Sequence, residues 1–200
     1  MLKKLLLTVG LAVTSSAAQS VDVDPDSIYP YLVPEEYLQF HGDAPHWTLG
    51  HGIQIVLVIE RDGLVQNLRN EELEQLSMTA DAAYDLAVEN LDKLLKANAI
   101  GMQKLNGPQG KPFILMGGHW ATASAILDHG LLDWSTKILG TDEICISIPH
   151  REALLIFPRG DEAYRAEMLA MIRDKESDHN KMLTFGLFQY GKDGLRELEQ

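Results

Sequence analysis

Two groups of side chains in this sequence have the residue types that chemistry needs. The first is His41, Asp43, His46 and His51, three imidazoles and a carboxylate within eleven residues. Neutral histidine is a common donor to zinc and copper, and a carboxylate can complete such a set. The five-residue spacing fits neither one face of a helix nor the alternation of a strand. Pro45, with Gly42, Gly50 and Gly52, predicts a flexible, solvated loop that a metal would have to order. The second group is His150, Arg151 and Glu152, followed by Arg159 and Asp161. An unperturbed imidazole titrates near neutrality, so an acid-base role for His150 beside Arg151 is chemically open. Arg151 also offers a bidentate fork to a carboxylate. A strand of five residues separates His150 from Arg159, which sets them roughly 20 Å apart. One small catalytic site therefore does not hold both, and Arg151, Arg159 and Asp161 read better as binding residues.

The usual local signatures of catalysis are absent. The chain has no Gly-x-Ser-x-Gly elbow, no His-Glu-x-x-His helix and no Walker loop. Nothing in it calls for a cofactor. The single cysteine, Cys145, lies in Ile144-Cys-Ile-Ser-Ile148 and reads as a small buried hydrophobe, because a nucleophilic thiol needs an exposed, electropositive setting. Gly117 and Gly118 lead into a small-residue stretch without the lysine or third glycine of a phosphate loop, so close packing is the better reading.

The elements that must position these groups are legible from pattern. Ile144, Ile146 and Ile148 alternate with Cys145 and Ser147, which predicts a central strand with one branched, apolar face and one closely packed face. The apolar run 153–157 predicts an antiparallel partner after a four-residue connection. Gly160 and Asp161 then open a helix with Tyr164, Met168, Met171 and Ile172 on one face. Upstream, 28–40 predicts an extended arm ending in a short helix from Glu35. Ile53 to Leu68 predicts a hairpin turning at Asp62-Gly63. Asn70 is placed to cap a first helix. A longer helix over 80–98 would bury Tyr84, Val88, Leu91 and Leu95 and end at Gly101. A strand over 113–116, helices over 121–129 and 131–139, an edge strand over 182–190 and a last strand over 195–198 complete the set. The fold class that follows is α+β. A single domain covers 28–200, with antiparallel hairpins forming a mixed sheet packed on amphipathic helices.

The N-terminus predicts export. Lys3 and Lys4 precede an apolar run that small residues follow, which is the pattern of a signal peptide over 1–18. The acidic stretch 19–27 reads as a mobile lead-in. Its Asp22, Asp24 and Asp26 are spaced like calcium ligands, but Pro25 interrupts them and the glycine and distal glutamate of an EF-hand loop are missing. The formal charge of −12 becomes −14 without the two leader lysines. A chain this acidic, without a basic cluster, excludes nucleic acid as a natural partner and is repelled by anionic membranes. A basic protein partner fits the charge.

With these elements in order, the chain resembles the YtpQ-like family of uncharacterised bacterial proteins. The residues that carry the resemblance are Ile28-Tyr-Pro30, Leu86-Ala-Val-Glu-Asn-Leu91, the Ser124 and Trp134 region and Ile148-Pro-His-Arg-Glu-Ala-Leu-Leu155. The resemblance implies a fold and no activity. The expectation from the sequence is thus a periplasmic or secreted, non-enzymatic binding protein for a basic partner, of the inhibitor or immunity type. Metal binding through His41, His46, His51 and Asp43, or hydrolase or transferase chemistry through His150 and Arg151, are the alternatives.

Overall fold

The computed structural model describes residues 23–191 and 194–199. The expected signal peptide lies outside the described residues. Among the described residues, ten strands form two sheets, and every pairing between them is antiparallel. The expected mixed sheet is therefore two antiparallel ones, within the expected α+β class. The first sheet is built on β3 (Ile53–Arg61), which pairs with β1 (Ile28–Pro34) along one side. β2 (His46–Gly50) and β4 (Leu64–Asn67) share its other side. The β3–β4 turn is made by Asp62 and Gly63, both at positive φ, as an Asp-Gly hairpin requires. Two helices follow, α1 (Asn70–Gln75) and α2 (Ala80–Lys96).

The second sheet runs in the order β10 (Gly194–Leu198), β9 (Leu187–Gly191), β7 (Ile144–Ser147), β8 (Ala153–Pro158), β6 (Pro112–Gly117) and β5 (Gly101–Asn106). The β7–β8 hairpin is central, and period-two alternation decides what covers it. Ile144, Ile146, Ile148, Leu154 and Ile156 face one core, packed against α3 (Leu131–Leu139), the segment before it, and Leu32, Ile53 and Ile55 of the first sheet. Cys145, Leu155 and Phe157 face the other core, under α4 (Glu162–Glu176), which buries Tyr164, Met168, Leu169 and Ile172. Cys145 is fully buried, and desolvation pushes its thiol up to about 11. It is a packing residue.

The differences from the sequence reading have local causes. Residues 121–129 form no α-helix. The Thr122 hydroxyl bonds the His119 carbonyl at 2.6 Å and the Ala123 amide bonds Arg151 O, leaving only a 3-10 turn at Ala123–Leu127. Gly101 does not end α2: the helix stops at Lys96, Asn98 takes the left-handed conformation, and Gly101 begins β5. Arg69, not Asn70, occupies the N-cap of α1, where the Glu72 carboxylate accepts its N–H at 2.7 Å. The strand expected over 182–190 starts only at Leu187, and it lies inside the sheet because β10 takes the edge. The described part of the lead-in is docked. Val23 is buried beside Ile28 and Leu57, and Asn90, buried in α2, donates to the carbonyls of Pro25 and Ile28. Asp24 caps the turn Pro25–Ser27 and Asp26 pairs with Lys93, so neither is arranged as a calcium ligand.

Candidate functional site

The first candidate group is dispersed by the fold. His46 lies on β2, which pairs with β3, so half of the expected loop is strand. Its Nδ1 rests against the Ala44 carbonyl at 3.1 Å. His41 stacks on Tyr37 with ring centroids 4.4 Å apart, and the backbone carbonyl of Asp43 accepts from Asn70. His51 points the other way, into the second sheet. Its Nε2 donates to Leu187 O at 2.7 Å, its ring meets Phe188 edge-on, and its own amide donates to Glu197. A Cβ on Gly186 would stand 2.5 Å from the His51 ring, so this seat needs a glycine. His51 is a strut between the sheets. The three histidines and Asp43 do not converge.

The second group is divided in three. Arg159 and Asp161 sit at the far end of β8 from His150, as the strand length requires. The Arg159 amide donates to Glu143 O, and the Asp161 carboxylate caps α4 by accepting from Tyr164 N at 2.8 Å. Arg151 turns to the outer face of the first sheet, where Nη1 donates to the Tyr31 hydroxyl at 3.2 Å. Its guanidinium lies 4.9 Å above the Tyr31 ring and 5.8 Å from that of Tyr37. A cation over aromatic faces is held there by the ring quadrupoles. Arg151 is thus part of an aromatic patch that also contains Trp120 against Tyr29 and Tyr31.

His150 is 3% exposed and has two partners of its own. Nδ1 accepts the Glu152 N–H at 3.2 Å, which places the ring proton on Nε2, and Nε2 donates to Glu176 Oε2 at 2.9 Å. The His179 ring lies flat on that of His150, with centroids 3.6 Å apart and 7° between the planes. With both nitrogens engaged and little exposure, His150 has no free lone pair with which to take a substrate proton. Next to it, Lys181 pairs with Glu152 at 2.6 Å and holds that carboxyl below its ordinary range, chiefly through the hydrogen bond. Glu176 and His179 escaped the sequence reading. They lie at the end of α4 and just past it, and only the fold of the following segment brings them to His150.

A larger feature lies between α2, β5, β6 and α3. A cleft of about 750 Å³ is floored by apolar side chains, among them Val88, Leu95, Ile100, Met116 and Trp134. Asp85, Glu89 and Asp92 line its rim, together with the ammonium of Lys96 and the imidazole of His129. Asp85 and Glu89 project from the exposed side of α2, four residues apart and so one above the other. Lys96 is committed to Asp92, one turn below it at 2.5 Å, and that bond raises its pKa. Asp128 is nearly buried, and its two oxygens accept from Gly130 N at 3.1 Å and Trp134 Nε1 at 2.8 Å. It fixes the indole as one wall. Burial in an apolar hollow with a ring of like charge is what an amphipathic cation would fill.

Compared with protein families, with curated proteins and with solved structures, the chain matches none.

Proposed function

We propose that this chain is an exported binding protein, without catalytic activity, whose cleft takes a basic, partly apolar segment of a protein partner in the manner of an inhibitor or immunity protein. The observation that carries the reading is the pairing of an apolar floor with the exposed carboxylates of Asp85 and Glu89, beside a lysine that is already paired with Asp92. An apolar anchor would fill the floor while lysine or arginine side chains reach Asp85 and Glu89, with the acidic chain as a whole steering the encounter. The engagement of both His150 nitrogens supports binding over acid-base chemistry.

Trp134 lines the cleft and serves as the reporter. Titration with an amphipathic peptide of alternating lysine and leucine is expected to change the tryptophan fluorescence in low salt. Raising the ionic strength should weaken the effect, since exposed charges are screened beyond about 8–10 Å at physiological salt. The same peptide with glutamate in place of lysine should have no effect, and Trp134→Phe should remove the signal. Equal binding of both peptides, or lysine-peptide binding unchanged in D85K/E89K, would overturn the reading.

A further inference from the structure

His150, Glu176 and His179 are, among the described residues, the one set of three ligating groups whose donor atoms lie within 4.8 Å of one another. They come from the β7–β8 connection and from the end of α4 with the segment after it. Arg151 N bonds Lys181 O and Leu183 N bonds Pro149 O, so the segment leaving α4 is laced to the β7–β8 connection on both sides of His150. Glu176 is the last residue of α4 and His179 follows within a turn. The buried partner, His150, is held in place, while the carboxylate is partly exposed and the second imidazole is exposed. A fixed inner ligand with two adjustable outer ones is open to an ion arriving from solvent.

We propose that His150 Nε2, a Glu176 carboxylate oxygen and a ring nitrogen of His179 bind a first-row divalent cation, zinc in particular, with a fourth position left to water. Two imidazoles and one carboxylate are a donor set that zinc accepts in tetrahedral geometry, at about 2.0–2.2 Å from each donor. The ion takes the place of the proton that Nε2 now shares with Glu176. At those bond lengths a tetrahedral N···O separation is about 3.3 Å, so the 2.9 Å pair opens by a few tenths of an ångström. His179 must also turn out of its stack, which its exposure permits.

The proton count closes without loss. When Nε2 gives its lone pair to the metal, the ring proton moves to Nδ1 and the imidazole stays neutral. Nδ1 then no longer accepts from Glu152 N–H, and that amide, in a partly exposed turn, passes to water. A ligating histidine more commonly has its second nitrogen donating to a carboxylate or carbonyl, so this wiring favours moderate affinity and reversible occupancy. The nearby charges are Glu152, paired with Lys181, and Arg151, which faces the tyrosines.

The test is titration of the full chain, purified without a histidine tag, with zinc chloride by calorimetry and by amide-resolved NMR. The expected result is one ion per chain and a shift of the Glu152 amide. H179A and E176Q should each weaken binding by at least about tenfold while leaving the circular dichroism unchanged. H41A/H46A should bind as the parent does. Absence of saturable binding, zinc binding that leaves the Glu152 amide in place, or full affinity in H179A would each overturn the site. Loss of binding in H41A/H46A alone would do so as well.

Discussion

The cleft and the β7–β8 turn both collect polar side chains, and they use them in opposite ways. At the turn both nitrogens of the His150 ring have partners, a second ring lies stacked on it, and the residue is buried. In the cleft, Asp85 and Glu89 stand exposed and, among the described residues, without an ion-pair partner. Satisfied buried groups hold a structure together, because removing one partner strands the other away from water. Unpaired carboxylates of one sign over an apolar hollow add little to stability and leave their field available to a ligand. The polar residues whose types most invite a chemical reading are thus the fastened ones, and the unpaired carboxylates of the cleft are residues that look ordinary in sequence.

Substitutions separate the two regions. His150→Ala removes two hydrogen bonds and a stacked ring from a buried position, and it should cost about 2–4 kcal/mol in urea unfolding of the metal-free protein. A cost near zero would mean that the turn is not fastened in the way described. Glu152→Gln tests the rim of the same region. Lys181 holds the Glu152 carboxyl below its ordinary value, so the pair stabilises the fold at pH above that value and stops doing so as pH falls through the folded one. Because both side chains are well exposed, the loss at neutral pH should be under about 1 kcal/mol and should vanish in acid. The smallest effect on stability belongs to the cleft, where D85K/E89K should stay within about 0.5 kcal/mol of the parent while abolishing binding of the lysine peptide. A large destabilisation there would break the contrast.

The parts of this fold that could be read in advance are those where one pattern decides one outcome. Strict alternation in Ile144 to Ile148 set the two faces of β7, and Asp62-Gly63 set its hairpin because few other pairs accept positive φ at both positions. β5 offered no such pattern. It is an edge strand exposed along its whole length, and Gly-Met-Gln-Lys-Leu-Asn has no buried face to impose a period. The cleft was illegible for a different reason: its walls come from helices and strands up to about fifty residues apart, and its carboxylates read as an ordinary solvated helix face until α3 is placed opposite. Likewise His150 was visible as a lone imidazole, but Glu176 and His179 acquire meaning only when the chain after α4 is laced back along the β7–β8 connection.

The His51 strut bears on the order in which the molecule can be made. The first sheet closes within residues 28–67, yet the ring at its tight turn hangs from the carbonyl of Leu187, 136 residues further along. A growing polypeptide therefore carries this first sheet without its anchor until the β9–β10 hairpin arrives. Contacts so distant along the chain make for slow folding and a long exposure of half-built sheet edges. A product cut short before residue 187 would lack the anchor for its own beginning.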